Sequence, residues 1–204
     1  MIFSFTGAQS TGKTTLLKRL IEANKGVDNW NFPFEFVPEV TRLVRRQYEV
    51  SINEGGDDIT QMLIMTEHIR NVYGGKTDRL LRGIHQIYDR CALDGVVYSH
   101  YLLDKGKISR TTYEACELIY KKLRNKYDVI FYTSPKDVEL VDDGERSVDV
   151  HFREDIIDLF NLYLYSINKD NKDKPRVILL EGTVEERLET IKSTLDKLNI
   201  DIKI

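Results

Sequence analysis

The stretch Gly7-Ala8-Gln9-Ser10-Thr11-Gly12-Lys13-Thr14 has the spacing of a phosphate-binding loop. The run before it, residues 1–6 (MIFSFT), is apolar and β-prone, and residues 15–23 (TLLKRLIEA) have helical spacing. A strand, a glycine-rich turn and a helix in this order are the context that the motif requires. We therefore predict a strand–loop–helix unit that binds a nucleoside triphosphate.

Each residue type in this loop has a role in holding phosphate. Gly7 and Gly12 let the backbone turn its N–H groups toward an anion, and the start of the helix adds partial positive charge. Lys13 is expected to reach the β- and γ-phosphates, and the Thr14 hydroxyl to ligate Mg²⁺. The expected nucleotide-binding residues here are Gly7, Ala8, Gln9, Ser10, Thr11, Gly12, Lys13, Thr14 and Thr15.

Length and composition restrict the class of protein. The chain has 204 residues, of which 41% are hydrophobic and 31% charged, and this suits one α/β domain over residues 1–204. The net charge of −3 gives no general attraction to nucleic acid or acidic membranes. No stretch approaches the roughly 18 apolar residues of a membrane span, and no signal peptide fits, so we expect a cytoplasmic protein. Cys91 and Cys116, the only cysteines, are expected to be reduced and structural.

Apolar β-runs alternate with helical patterns along the chain. Strands are predicted over residues 1–6, 32–40, 84–89, 127–133 and 176–180, and helices over 15–23, 41–48, 59–73, 93–104, 111–125, 152–167 and 184–198. This alternation predicts an α/β fold with a five-stranded, mainly parallel sheet and right-handed crossovers. Within the helix over 59–73, Ile59, Met62, Leu63, Thr66, Ile69 and Tyr73 keep helical spacing. The alternation of Ile200, Ile202 and Ile204 predicts an edge strand or a loose tail.

Two acids are expected at the carboxyl ends of the strands, where sheets of this kind bind ligands. Asp89 closes the third strand and is a candidate Mg²⁺ ligand or proton acceptor. Glu39 follows the second strand and is a candidate general base or a partner for a sugar hydroxyl. The structural alternatives are a strand-end cap for Asp89 and a helix start for Glu39.

Arginines accompany these acids. Arg42 and Arg90 are placed to hold acceptor or phosphate oxygens with their planar forks, or else to pair with the neighbouring acids. Residues 135–153 are polar and predict a lid, and its arginines, Arg146 and Arg153, would neutralise charge on a transferring phosphoryl group. A solvated run of charges is the alternative for this segment.

Three further residues are candidates for nucleotide or substrate contacts. Gly182 and Thr183 follow the last strand, either near the adenine or as the turn and N-cap of the last helix. Gln61 carries an amide suited to reading a base edge, or is an exposed helix residue. The four histidines have no metal-ligand spacing and receive no role.

The motifs GAQSTGKTTLL, PEVTR, IYDRCALDGVVY, DDGERS and LEGTVEER stand in the order seen in P-loop kinases of the AAA_28 group. Over nearly its whole length the chain resembles this group, the ribosylnicotinamide kinase domain of NAD-biosynthesis regulators and, more distantly, thymidylate and deoxynucleoside kinases. The resemblance implies the three-layer P-loop NTPase fold, with helices on both faces of the sheet and an arginine-bearing lid. It also implies ATP and Mg²⁺ as cofactors, held by Lys13 and Thr14.

The same resemblance assigns positions in the rest of the site. Asp89 and Arg90 match an Asp-Arg motif in the catalytic crevice, and Glu39 and Arg42 match the element that faces the acceptor. Arg146 and Arg153 match the lid. The chain departs from many nucleoside and nucleotide kinases at Cys91, where they have a small hydroxyl or an aromatic residue. A fused adenylyltransferase domain like that of the NAD regulators is not expected.

Three functional hypotheses follow. The first is a kinase that transfers the γ-phosphoryl group of ATP to a nucleoside or nucleotide. The second changes the acceptor to DNA, at a 5′ end or at a modified base such as a 5-hydroxymethylpyrimidine, as in some viral relatives, and expects a basic groove beside Arg42, Arg45, Arg46 and Arg110. The third is an ATP-dependent regulatory switch or ATPase. The acceptor, the choice of base between Asp89 and Glu39, and the oligomeric state, with a homodimer among the alternatives, stay open.

Overall fold

Five parallel strands form one sheet in the computed structural model, which describes residues 1–24, 34–74, 83–136, 138, 149–169 and 175–204. The strands are β1 (Ile2–Thr6), β2 (Phe34–Val37), β3 (His85–Asp89), β4 (Val129–Thr133) and β5 (Arg176–Leu180). Their order is β2-β3-β1-β4-β5, and each neighbouring pair is parallel. Phe5 of β1 lies opposite Asp89 of β3 and Phe131 of β4. The predicted parallel α/β sheet is therefore confirmed.

Seven helices occur within these residues. They are α1 (Lys13–Ala23), α2 (Val40–Tyr48), α3 (Asp58–Tyr73), α4 (Ala92–Asp104), α5 (Arg110–Leu123), α6 (Val150–Lys169) and α7 (Val184–Asp196). Capping side chains explain several starts: Asp57 accepts the N–H of Thr60 at the start of α3, and Ser109 accepts that of Thr112 at the start of α5. No helix in the described parts of the chain is long and apolar enough to cross a bilayer.

The alternating side chains of the strands build one core on each face of the sheet. Phe3, Phe5 and Phe131 pack with α1 and α7 on one face. Tyr88 and Tyr132 pack with α4, α5 and α6 on the other. Because successive strand residues point to opposite faces, a sheet of apolar strands needs helices on both sides. The three-layer arrangement is confirmed. Both cysteines are buried thiols.

Helix α3 turns a partly polar face inward. Ile59, Ile69 and Tyr73 keep helical spacing but are exposed. The buried residues lie on a neighbouring face: Thr60, Gln61, Ile64, Met65, Glu67, His68 and Val72. This face packs against α4 and α5, where Gln61 Oε1 accepts a hydrogen bond from the Ser99 hydroxyl at 3.0 Å. Apolar spacing thus predicts this helix correctly but not its buried face.

The last residues adopt neither of the two predicted arrangements. Residues 200–204 contain no strand, yet Ile200 and Ile202 are buried in the core beside α1 and α7. The Asn24 side chain holds this segment, because its Nδ2 donates to the Lys203 carbonyl at 2.9 Å and its Oδ1 accepts the Lys203 N–H at 3.2 Å. The expectation of an edge strand or a loose tail is wrong, since the alternating isoleucines anchor an ordered, non-strand tail.

Candidate active site

The phosphate loop forms the turn between β1 and α1. Gly7 and Gly12 have φ angles of 138° and 87°, which residues with a side chain rarely adopt. A Cβ atom on Gly7 would lie 2.6 Å from Thr133 Oγ1, so the loop passes too close to β4 to carry one. Lys13 is buried, and its Nζ donates to the carbonyls of Gly7 and Ala8 at 2.8 and 2.6 Å. The ammonium group therefore lies inside the loop, where phosphate is expected to bind.

The other residues of the predicted nucleotide site differ in exposure. Four loop residues are buried: Ala8, Gln9, Ser10 and Thr11. Ser10 has a φ of 55°, so the loop also takes a left-handed conformation at a residue other than glycine. Thr14 is half-buried at the start of α1, and Thr15 is exposed. The loop thus buries most of its side chains and turns Thr14 toward the cleft described below.

Two side chains from distant parts of the chain brace this loop. Arg187 of α7 is buried, and its Nη1 and Nε donate to the carbonyls of Thr11 and Gly182 at 2.8 and 2.9 Å. Its Nη2 lies 3.4 Å from the Ser134 carbonyl, just beyond β4. The hydroxyls of Thr133 and Thr11 share a hydrogen bond of 2.6 Å. Because charge-assisted hydrogen bonds are strong, Arg187 ties the phosphate loop to the ends of β4 and β5.

An ion-pair network lies at the carboxyl ends of β2 and β3. Arg90 Nε donates to Glu39 Oε1 at 2.7 Å, and its Nη1 donates to Asp94 Oδ1 at 3.0 Å. Arg42 Nε donates to the other Glu39 oxygen, Oε2, at 3.0 Å. The Thr6 hydroxyl donates to Asp94 Oδ2 at 2.7 Å. Arg42 and Arg90 thus form the ion pairs that were one of the two alternatives, and both Glu39 oxygens accept arginine N–H groups.

Arg90 also has an unusual backbone conformation. Its φ is 73°, in the left-handed region, and its N–H donates to the Phe5 carbonyl at 2.9 Å. Such a conformation costs about 1–3 kcal/mol in a residue with a side chain and persists where its surroundings determine it. Here the guanidinium is buried between two carboxylates. Strain of this kind is concentrated at functional sites.

Asp89 ends β3 beside this network. Its Oδ1 is buried and accepts no hydrogen bond from any residue that the structure describes. Burial, and then the charge of Glu39, raise the pKa of Asp89 above its ordinary value, whereas Arg90 and Lys13 oppose that change. A buried carboxylate oxygen without a partner is unfavourable, and a bound ligand would satisfy it.

A cleft of about 600 Å³ connects the phosphate loop with the acids and arginines. It is lined by Thr14, Pro38, Glu39, Arg42, Leu43, Arg46, Gln47 and Asp89. Its volume lies within the range of small-molecule sites, about 300–1,000 Å³. The structure therefore brings Thr14, Glu39, Arg42 and Asp89 to one cavity.

A second, smaller pocket is lined in part by Arg90. It has a volume of about 10 Å³ and is lined by Thr41, Asn53, Gln61, Ile64, Arg90, Asp94, Gly95 and Tyr98. Such a volume admits about one water molecule. Gln61 is only 1% exposed, so the alternative of an exposed helix residue is wrong. In this conformation Gln61 contacts Ser99 and lines this small pocket.

The residues after β5 form the turn and the N-cap of the last helix, which was one of the two expectations for Gly182 and Thr183. Thr183 is the N-cap of α7, and its hydroxyl accepts the N–H of Glu186, whose side chain accepts the Thr183 N–H in return. Gly182 has a φ of 80° and makes the turn. The predicted contact of Gly182 and Thr183 with adenine stays a prediction.

The predicted lid is described only at its edges. Arg146 lies outside the described residues, as do positions 137 and 139–148. Arg153 lies near the start of α6, and its Nη2 donates to the Val138 carbonyl at 2.8 Å. The lid over residues 135–153 therefore stays a prediction.

Two residues of this region, Asp94 and Arg187, were not among the site residues predicted from the sequence. Asp94 could have been found, because it lies four residues after Arg90 and is the third residue of α4, where it accepts the Cys91 N–H at 2.9 Å. Arg187 carries no local signal, since its partner Thr11 lies 176 residues away in the chain. Only the folded chain identifies it as a brace of the phosphate loop.

The donor atoms of the cleft suit Mg²⁺. Mg²⁺ prefers oxygen ligands and is held by one or two protein groups together with phosphates and water. Thr14 and Asp89 line the same cleft, and the Asp89 oxygen Oδ1 has no protein partner among the described residues. The residues present therefore fit this ion.

The sheet order, the loop and the acid–arginine pair together define a P-loop nucleotide-binding fold. The profile of the AAA_28 family, described as an AAA domain, matches residues 2–187, and the chain therefore belongs to this family. A search of curated protein sequences finds no match.

Solved structures with the same fold include two P-loop proteins. NadR in complex with NR has 20% identity and a TM-score of 0.67, covering 100% of this chain and 53% of its own. NadR in complex with NAD and AMP-PNP has 16% identity and a TM-score of 0.63, and the match covers 100% of this chain and 51% of the NadR chain. The deoxyadenosine kinase from M. mycoides, with products dCMP and a flexible dCDP bound, has 15% identity and a TM-score of 0.62. The match covers 97% of this chain and 100% of the deoxyadenosine kinase chain. The likeness shows a P-loop kinase fold, and the chain spans about half the length of NadR.

Proposed function

We propose that this protein is an ATP-dependent kinase that transfers the γ-phosphoryl group to a nucleoside or nucleotide. The observation that supports it is the cleft, which has Thr14 of the phosphate loop on one wall and Glu39, Arg42 and Asp89 on the others. A protein that only hydrolyses ATP needs a water molecule opposite the γ-phosphate, whereas this cleft has room for an organic acceptor. Similar folds are known with AMP-PNP and with dCMP bound.

The donor side positions the triphosphate. On binding ATP, Lys13 would exchange the carbonyls of Gly7 and Ala8 for oxygens of the β- and γ-phosphates. The Thr14 hydroxyl would hold Mg²⁺, and the Asp89 carboxylate would contact the ion through its water shell; the ion neutralises phosphate charge when bound. Arg146 and Arg153 of the proposed lid would close over the phosphates and exclude water.

The acceptor side orients the nucleophile. The acceptor oxygen bonds to the γ-phosphorus, the bond to the β,γ-bridging oxygen breaks, and ADP leaves. If the acceptor is a hydroxyl, its proton passes to a carboxylate, and Asp89 is favoured because both Glu39 oxygens already accept arginine N–H groups. Glu39 then serves to orient Arg42 and Arg90. Gln61 would contact the base once the small pocket opens.

One observation favours a DNA acceptor as a second candidate. Arg45 and Arg46 are exposed on α2, and Arg46 lines the cleft beside Arg42. Exposed arginines at the mouth of an acceptor site suit a phosphodiester backbone. Arg110, which was expected near this groove, lies 4.0 Å from Glu114 on α5. A DNA acceptor predicts that transfer falls steeply as salt is raised, whereas transfer to a free nucleoside depends weakly on salt.

The test incubates the protein with γ-labelled ATP and separate panels of nucleosides, nucleotides, nicotinamide riboside, and plain or hydroxymethylated DNA. We expect label to move from ATP to at least one acceptor. Label found only on ATP and free phosphate in every sample would overturn the kinase proposal and favour an ATPase or regulatory switch. Asp89→Asn and Glu39→Gln, measured with the acceptor found, separate the two acids: loss of a proton acceptor lowers kcat, whereas loss of orientation also raises the acceptor KM.

A further inference from the structure

Gln9, in the phosphate loop, has a buried side chain with no described partner. Its exposure is 3%, and neither Nε2 nor Oε1 forms a hydrogen bond with any residue in the described ranges. An amide buried in this way loses its hydrogen bonds to water at both ends without replacement. Native proteins rarely keep such a group unless a ligand or water satisfies it. A purely structural role therefore does not explain a glutamine at position 9.

The position of Gln9 suggests which ligand that is. Its backbone nitrogen is bonded to the Ala8 carbonyl carbon, and the oxygen of that carbonyl accepts Lys13 Nζ at 2.6 Å. On the adjacent strand, Asp89 pairs in register with Phe5, four residues before Gln9, and Asp89 Oδ1 is also buried without a described partner. Two unsatisfied polar side chains thus follow the neighbouring strands β1 and β3, at the edge of the sheet that carries the cleft.

We infer that the Gln9 amide contacts both reacting groups of the transfer: Nε2 donates to a non-bridging oxygen of the γ-phosphoryl group, and Oε1 accepts from the O–H of the nucleophile. This inference rests on the proposed kinase function. An amide has a donor end and an acceptor end, and a phosphoryl oxygen satisfies only the donor end. The group opposite the γ-phosphate must therefore bring a proton.

This requirement names the class of acceptor. An alcohol has an O–H to donate to Oε1, whereas a phosphate monoester is mostly a dianion at neutral pH and has none, because its second pKa is about 6. In the reaction the alcohol oxygen bonds to the γ-phosphorus and ADP leaves with the bridging oxygen. As the new bond forms, the alcohol proton leaves its hydrogen bond to Gln9 Oε1 and passes to a carboxylate of the cleft. The acceptor is thus a hydroxyl of a nucleoside or of a hydroxyl-bearing nucleic acid, and not the phosphate of a nucleotide.

The test compares wild type with Gln9→Met, which keeps the length of the side chain without its hydrogen bonds, and with Gln9→Glu, which keeps only acceptors. Tyr132→Phe is the matched control, because the Tyr132 hydroxyl on β4 is also buried with no described partner but lies in the core against α6. For each protein we measure transfer to nucleosides, hydroxymethylated DNA and nucleoside monophosphates, the Kd for AMP-PNP, and the unfolding temperature.

We expect the wild type to phosphorylate alcohols and to leave nucleoside monophosphates unchanged. Gln9→Met and Gln9→Glu should lower kcat by about 100-fold, as loss of one transition-state donor does elsewhere. Gln9→Met should raise the Kd for AMP-PNP by no more than about tenfold, because it loses a single donor to the γ-phosphoryl group. It should unfold at the same or a higher temperature, because it removes an unsatisfied polar group. Tyr132→Phe should keep wild-type kcat.

Three results would overturn the inference. They are wild-type kcat in Gln9→Met, a loss of kcat that only follows a lower unfolding temperature, and transfer to nucleoside monophosphates as fast as to alcohols. In each case the wild-type enzyme still transfers phosphate, so the kinase proposal stands. Absence of transfer by wild type to every acceptor overturns the kinase proposal itself, and the inference with it.

Discussion

The two halves of the candidate site are built in different ways. The donor half is a continuous loop, residues 7–14. Its geometry follows from two glycines and from a lysine whose side chain folds back to donate to carbonyls of the same loop. The acceptor half joins Glu39 to Arg90, 51 residues apart, and adds Asp94 from the next helix. The donor half is thus a local property of the sequence. The acceptor half exists only when β2 pairs with β3, and it can differ among proteins that share the loop.

The largest effect is expected in the donor half. Lys13→Ala should lower phosphotransfer by about 1,000-fold or more, because it removes the only loop side chain suited to the phosphates' charge. The fold should persist, since the brace from Arg187 and Thr133 remains. Activity is measured with labelled ATP, and folding by circular dichroism. Lys18→Ala, an exposed lysine on the same helix, is the control and should keep activity. Retained activity in Lys13→Ala would mean that the loop is misassigned.

Asp94→Asn tests the acceptor half. Its carboxylate is buried against Arg90 and accepts the Thr6 hydroxyl, so its neutralisation leaves a buried arginine with one fewer charged partner. We expect the free energy of unfolding to fall by about 3 kcal/mol, measured by urea denaturation, and the acceptor KM to rise.

The control for Asp94 is Asp104→Asn on the same helix, where the side chain is 60% exposed and lies 3.9 Å from His100. This change should alter stability by less than about 1 kcal/mol. Equal effects of the two substitutions would show that the network around Arg90 contributes no more than a surface pair.

Arg187→Lys tests the brace that ties the phosphate loop to the ends of β4 and β5. A lysine has one ammonium group and cannot donate to the Thr11 and Gly182 carbonyls in the fixed fork that arginine provides. We expect the Kd for AMP-PNP to rise by about tenfold, which corresponds to about 1.4 kcal/mol, measured by calorimetry. Arg19→Lys, an exposed arginine on α1, should leave the Kd unchanged. An unchanged Kd in Arg187→Lys would separate the brace from nucleotide binding.

Near neutral pH the smallest effect is that of His68 on α3, which grows as the pH falls. Burial, and then the charge of Arg90, lower the pKa of His68 to about 3 from its ordinary 6.5. As the pH falls below 6.5, the unfolded chain binds a proton that the folded chain does not bind. The free energy of unfolding should therefore fall by about 1.4 kcal/mol per pH unit on account of His68 alone between about pH 6 and pH 4.

Urea denaturation at several pH values measures how the free energy of unfolding depends on pH. His68→Met should lose stability less steeply than wild type as the pH falls. His151→Met removes an exposed histidine and should follow the wild-type slope. A His68→Met slope equal to that of wild type would show that His68 is protonated in the folded protein.

Much of the fold could be predicted because its signals are local. Each strand is a short apolar run, each helix has periodic spacing, and several helices start at a capping residue such as Asp57. The buried face of α3 could not be predicted, because it is set by packing against α4 and α5, where Gln61 accepts a hydrogen bond from Ser99. The arrangement of residues 200–204 could not be predicted for a related reason. Ile200, Ile202 and Ile204 alternate as in a strand, but Ile202 is buried in the core and the Asn24 side chain holds the backbone at Lys203.

The candidate site divides along the same line. The loop around Lys13 and the acid that ends β3 are visible in the sequence, because a motif and a strand end mark them. The choice between an ion pair and a substrate contact for Arg42 needs the distance to Glu39, which the sequence does not contain. Arg187 could not be predicted as a brace, because its partner Thr11 comes from the other end of the chain.

The most direct test of the central claim is the stoichiometry of turnover, followed by ³¹P NMR with ATP, Mg²⁺ and each acceptor of the panel in turn. We predict that each ADP formed is matched by one phosphorylated acceptor, and that almost no ADP forms when the acceptor is left out. Formation of ADP and free phosphate at the same rate with and without every acceptor would contradict the claim. That result would mean that the cleft beside Thr14 and Asp89 does not receive a phosphoryl acceptor.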